Sequence, residues 1–172
     1  MSISLHHFTV RSFDQALAAT ASVLEKGRVH CEAQGIDLAD VVATRLYEDM
    51  RPFHFQVVSV WHHSLGAMRG VEAGAFSPPP QKDLDYEGLQ ALVEEARSGL
   101  GVYSPERVEA FRGKDVVFKL GENQIPFVAE DFLASFSLPN FYFHATTTYD
   151  ILRMQGVPIG KRDFLGPLAS KR

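Results

Sequence analysis

The sequence predicts an all-α protein: a four-helix bundle with long connections and a small β-hairpin before the last helix. Three observations carry this. Four long stretches repeat apolar residues at spacings of three and four, the signature of helices with one buried face. Two short apolar runs flank Gly121-Glu122-Asn123, which reads as a hairpin turn. Prolines and that hairpin lengthen two connections, which argues against an up-down-up-down bundle with short loops.

The first helix is expected from Val10 to Gln34, with Val10, Phe13, Leu17, Leu24 and Cys31 on its buried face and Gly35 as the stop. Ser12 and Gln15 have the spacing of a capping box near its start. The stretch IDLADVVATRLYEDMRP reads as a short helical turn and a connector. Pro52 suits the first turn of a second helix reaching about Glu72. Phe53, Val57, Val60, Trp61, Ser64 and Met68 form its core stripe. Gln56, Ser59, His63, Ala67 and Gly70 form a second stripe of polar and small residues, either a close-packing face across a dimer or a solvated face. EAGAFSPPPQKD is a loop, since three successive prolines cannot continue a helix.

A third helix follows over about Tyr86–Leu100. A short one comes next, with Ser104 at its cap, Pro105 at its first position and Gly113 at its end. The last helix covers about Leu138 to Gln155, with Pro139 in its first turn. The tail VPIGKRDFLGPLASKR is expected to be extended and pinned by Phe164 and Leu165, with Lys161 or Arg162 paired to a carboxylate.

A chain of 172 residues fits one domain, 1–172, and its 45% hydrophobic and 22% charged residues are those of an ordinary globular protein. The net charge of −4, with 17 basic against 21 acidic residues, argues against a nucleic-acid partner, which favours a basic face. No apolar run approaches the ~20 residues that span a bilayer. The opening MSISLHHFTVRSF lacks the layout of a secretory signal. The lone cysteine, Cys31, allows no intrachain disulfide and reads as a small core residue. A cytoplasmic protein with no membrane partner is expected.

No phosphate loop, nucleophile elbow, dinucleotide fingerprint or HExxH occurs. Histidines are the candidates for chemistry. His62 and His63 are adjacent, so on a helix their side chains diverge by about 100° and at most one points well into any given site. His54 and His62 stand about 80° apart and would not share an ion. His144 on the last helix could be a metal ligand, a catalytic base or a buried core histidine. At helical spacings its neighbours are Asn140, Phe141, Thr147 and Thr148, so no metal site closes on this helix alone. A site shared with His62 or His63 stays open. The pocket-lining candidates are therefore His62, His63, Asn140, His144 and Thr148.

The segment LPNFYFHATTTYDILRMQGVPIGKRDFLG, with MRPFHFQV and GAMRGVEAG in the second helix, resembles the bacterial domain-of-unknown-function family nineteen-ninety-three. Its most specific part is GVPIGKRDFLG, and the likeness covers nearly the whole chain. That family stands among the DinB-like proteins. The resemblance implies a DinB-like four-helix bundle, often a homodimer. It also implies a divalent metal held by one histidine of the second helix and two at HxxxH spacing on the last, with thiol-transferase or amide-hydrolase relatives. Carried over, the HxxxH positions fall on Asn140 and His144, and the second-helix ligand falls on His62, with His63 next. This chain therefore reads Asn-x-x-x-His where metal-binding relatives read His-x-x-x-His.

Two functions follow as expectations. One is a non-catalytic or metal-depleted homodimeric pocket protein taking a small apolar ligand, with Phe141 and Phe143 among the residues lining an apolar cavity. The other is a metal-dependent thiol transferase or hydrolase with zinc or nickel on His144 and His62, where the ion would lower the pKa of water or of a thiol.

Overall fold

Alternation of apolar and polar residues every three to four positions organises α2 (Val10–Gln34). Its buried face holds Phe13, Leu17, Leu24 and Cys31, each fully inaccessible. Gly35 ends it in the left-handed region, φ 68°, where a glycine meets no steric cost. The structure is a computed structural model and describes residues 3–170; the two residues at each end of the expected 1–172 domain lie outside it.

The expected capping box is not made. A short helix, α1 (Leu5–Phe8), runs directly into α2, so Ser12 lies inside a continuing helical path. Thr9 sits at the junction, and its hydroxyl donates back to the Leu5 carbonyl at 2.7 Å.

The connector holds α3 (Leu38–Ala43), capped by the Asp37 carboxylate on the Ala39 N–H. The second long helix starts as α4 (Phe53–Trp61), widens into a π-helical stretch (His62–Gly66), and continues as α5 (Ala67–Ala73). The Ser64 hydroxyl donates to the carbonyls of Val60 and Trp61 at this stretch, competing with the regular ladder. Then come β1 (Ala75–Phe76), α6 (Tyr86–Leu100) and α7 (Pro105–Glu109), the last with Ser104 at its cap as expected.

The hairpin is present: β2 (Asp115–Leu120) pairs antiparallel with β3 (Asn123–Val128). β1 adds in parallel to β2, giving a three-stranded sheet in the order β1-β2-β3. The chain is thus mostly helical with a small sheet, and β1 had no sequence signal beyond its two residues.

The last helix is longer than expected. α8 (Ala129–Asp131) and a π-helical stretch (Phe132–Ser137) lead without a break into α9 (Leu138–Met154). Pro139 lacks an N–H and crowds the carbonyl four residues back, and a widened turn just before it accommodates both. The tail is not wholly extended, since Lys161–Leu165 form α10. Its ion pair also differs from expectation. Among the described residues, neither Lys161 nor Arg162 pairs with a carboxylate; Asp163 instead receives Lys26 of α2. Phe164 packs edge-on to Tyr149, and the Leu165 carbonyl accepts from Gln15 at 2.9 Å.

α4 packs on α9 and α6, and α2 packs on α6, α9 and α10. The Tyr86 hydroxyl donates to the Leu24 carbonyl at 2.8 Å. It fits only because residue 27 is glycine, where a Cβ would stand 2.5 Å from that oxygen. No described helix is long and apolar enough to cross a membrane.

Candidate functional site between the second and last helices

The polar and small stripe of the second helix is neither solvated nor a free dimer face. Gln56, Ser59, His63 and Ala67 are all buried within the chain. α4 presents this stripe to α9, and the two π-helical stretches are tied together where the Ser137 hydroxyl donates to the His63 carbonyl at 2.7 Å.

Gln56 organises the contact. Its amide N–H donates to the Arg51 carbonyl at 2.8 Å, which turns its Oε1 toward His144 Nδ1 at 2.7 Å. An amide oxygen only accepts, so His144 carries its proton on Nδ1 and its lone pair on Nε2. Sequence reading missed Gln56; its place seven residues before His63 on one stripe was the available signal.

The His63 and His144 rings lie nearly parallel, 16° apart with centroids 5.8 Å apart. His63 Nδ1 is buried without a partner. Phe136 stands 5.6 Å from the His63 ring, and Phe55 and Phe143 stand 5.8 and 5.2 Å from the His144 ring. Burial pushes His144 down to about 4. Burial, then the neighbouring His62 and His144, pushes His63 down to about 3. Both imidazoles are neutral at pH 7.

The His62 ring stands 5.4 Å from that of His63, edge-on to it. Its Nε2 donates to the Ser77 carbonyl at 2.8 Å, leaving the lone pair on Nδ1, beside Gly66. Burial pushes it down to about 4, opposed by that carbonyl. Asn140 donates its amide to the Phe136 carbonyl at 2.7 Å, one turn back on its own helix. Thr148 is fully buried with its hydroxyl unpartnered, beside a void of about 10 Å³ between α2 and α9.

The structure thus sets the rings of His62, His63 and His144 in a row, at 5.4 Å and 5.8 Å between neighbours, and leaves Asn140 and Thr148 otherwise engaged or apart. Among the described residues, no group of three His, Cys, Asp or Glu side chains is placed to hold a metal ion. Asn140, whose amide is held by the Phe136 carbonyl, stands where a third imidazole would be needed, so the side chains present do not fit a three-histidine ion. Phe141 and Phe143 do not share a cavity either. Phe141 is buried edge-on against Phe13 at 5.0 Å, and Phe143 is 55% exposed.

The sequence model of the family described as Domain of unknown function (DUF1993) matches residues 5–165. Among solved structures, a DinB family member protein from Shewanella denitrificans superposes with a TM-score of 0.80 at 22% identity, covering 98% of this chain and 95% of that one. No curated protein matches the chain.

Proposed function

Since the chain belongs to the DUF1993 family, within the DinB-like superfamily, we propose that it is a non-catalytic homodimeric binding protein whose contact between the second and last helices serves as a metal-free polar site. The observation that carries this reading is the Gln56–His144 bond. It holds a neutral imidazole with its lone pair on Nε2, so the site accepts a hydrogen bond and asks for a donor group on its ligand. The aromatic rings of Phe55, Phe136 and Phe143 around the pair favour an otherwise apolar molecule. In a homodimer, Tyr142 and Phe143, 40% and 55% exposed on α9, are the apolar residues that pairing would cover. Sedimentation at graded concentrations tests the dimer.

The second reading is a metal-dependent thiol transferase or hydrolase using zinc or nickel. It is favoured by three neighbouring imidazoles that burial keeps unprotonated, the form a metal requires. One experiment separates the two: elemental analysis of untagged protein purified without chelators, beside His144→Ala. Absence of stoichiometric metal in both supports the polar site. About one equivalent of metal that the variant loses establishes the metalloenzyme instead.

A further inference from the structure

The adjoining, His62-bearing flank of the second helix carries an open groove of about 280 Å³. Trp61, His62, Gly66, Arg69, Phe76 and Ser77 are among its walls. We propose that this groove is a second binding site, for a small hydroxyaryl carboxylate.

The floor supplies the first part. His62 is 93% removed from solvent, and its Nε2 is committed to the Ser77 carbonyl, so Nδ1 is an acceptor without a partner among the described residues. It faces residue 66, where a Cβ would lie 3.0 Å from Nδ1. Glycine keeps that lone pair uncovered. The helix is π-wound at His62–Gly66, a distortion that recurs at functional sites. A hydroxyl or N–H on a ligand satisfies the acceptor.

The walls supply the second part. Phe76, stacked on the His62 ring at 4.3 Å and 21°, and Trp61, whose ring lies 6.1 Å from that of His62, both line the groove. Flat aromatic surfaces of this kind take an aromatic ring. The rim supplies the third part. Arg69 lines the groove, and its one carboxylate partner, Glu95, is 3.3 Å away on an exposed surface, a weak pair that a ligand carboxylate can replace in bidentate form. Lys82, outside the groove lining, lies 4.7 Å over the Trp61 ring and sets a second positive charge beside that wall. Donor, ring and anion in that order describe a phenol bearing a carboxylate.

Trp61 is the chain's one tryptophan, so its indole N–H, buried without a partner, gives one identifiable NMR signal. Titration with para-hydroxybenzoate is expected to shift that signal saturably. Benzoate, which lacks the donor, and phenol, which lacks the anion, are each expected to bind about tenfold more weakly. Gly66→Ala, which favours a helix and so folds, is expected to weaken para-hydroxybenzoate about tenfold by covering His62 Nδ1, and Arg69→Gln by a similar factor. An unmoved Trp61 signal, equal affinity for all three probes, or undiminished binding by both variants would overturn the site. Its failure leaves the His63–His144 reading untouched, since that reading turns on metal content and His144.

Discussion

The two flanks of the second helix carry adjacent histidines of equal burial and opposite circumstances. On the groove flank, His62 is clasped by the Ser77 carbonyl, stacked on Phe76 and backed by a glycine. On the α9 flank, His63 lies against His144 with its Nδ1 unsatisfied, while Gln56 two stripe positions away holds His144. The difference teaches that burial alone says little about a histidine's role. The partner on each nitrogen decides which nitrogen is committed to structure, as Nε2 of His62 is, and which is left open, as Nδ1 is on both rings.

Acid is expected to weaken both flanks most. The folded pKa values of His62, His63 and His144 lie below the usual 6.5 because burial disfavours the imidazolium. The unfolded chain therefore binds more protons in this window. Stability is fully present above about pH 6.5 and falls as pH drops through 4 toward 3. Each histidine contributes a loss on the order of 1.4 kcal/mol for every pH unit between its folded and unfolded values. Thermal melts between neutral and acid pH check this, and a melting temperature that holds steady over that range contradicts it.

Next in size is Gln56→Leu, which strands the buried His144 Nδ1–H and removes the bond to the Arg51 carbonyl, and is expected to cost about 2 kcal/mol in denaturant unfolding. Gly70→Ala follows. Its new methyl would stand 2.8 Å from the Phe76 ring and 3.2 Å from the Ala75 carbonyl, and about 2 kcal/mol of overpacking is expected, with the groove flank disturbed first. The smallest pair sharpens the contrast directly. His62→Phe removes a satisfied hydrogen bond and should destabilise by about 1 kcal/mol. His63→Phe removes an unpaired nitrogen and should fall within about 0.5 kcal/mol of the parent chain. Equal costs for the two would erase the distinction between the flanks.

Much of this was legible in residue order. Val10–Gln34, Tyr86–Leu100, the hairpin turn and the placement of Pro105 follow from periodicity and from which residues can sit at helix starts. The divergence of His62 from His63 followed from helical geometry. Three things did not. The Ser12 capping box failed because α1 feeds α2 without a break, and the Leu5 packing that fixes α1 is tertiary. The π-helical stretches depend on Ser64 and Ser137 finding particular carbonyls, one of them on another helix. The role of Gln56 appears only once α9 is laid beside it, 88 residues later in the chain.

The contact of α2 with α10 has a consequence for synthesis on the ribosome. Gln15 and Leu165, bonded in the folded chain, are separated by 150 residues, and Phe13 meets its aromatic partner only at Phe141. The Phe13 end of the first long helix therefore waits for α9, whereas its Leu24 end meets Tyr86 of α6 much earlier. A ribosome that stalls between α6 and α9 is expected to release a chain in which α2 is covered by α6 at one end and bare around Phe13 at the other.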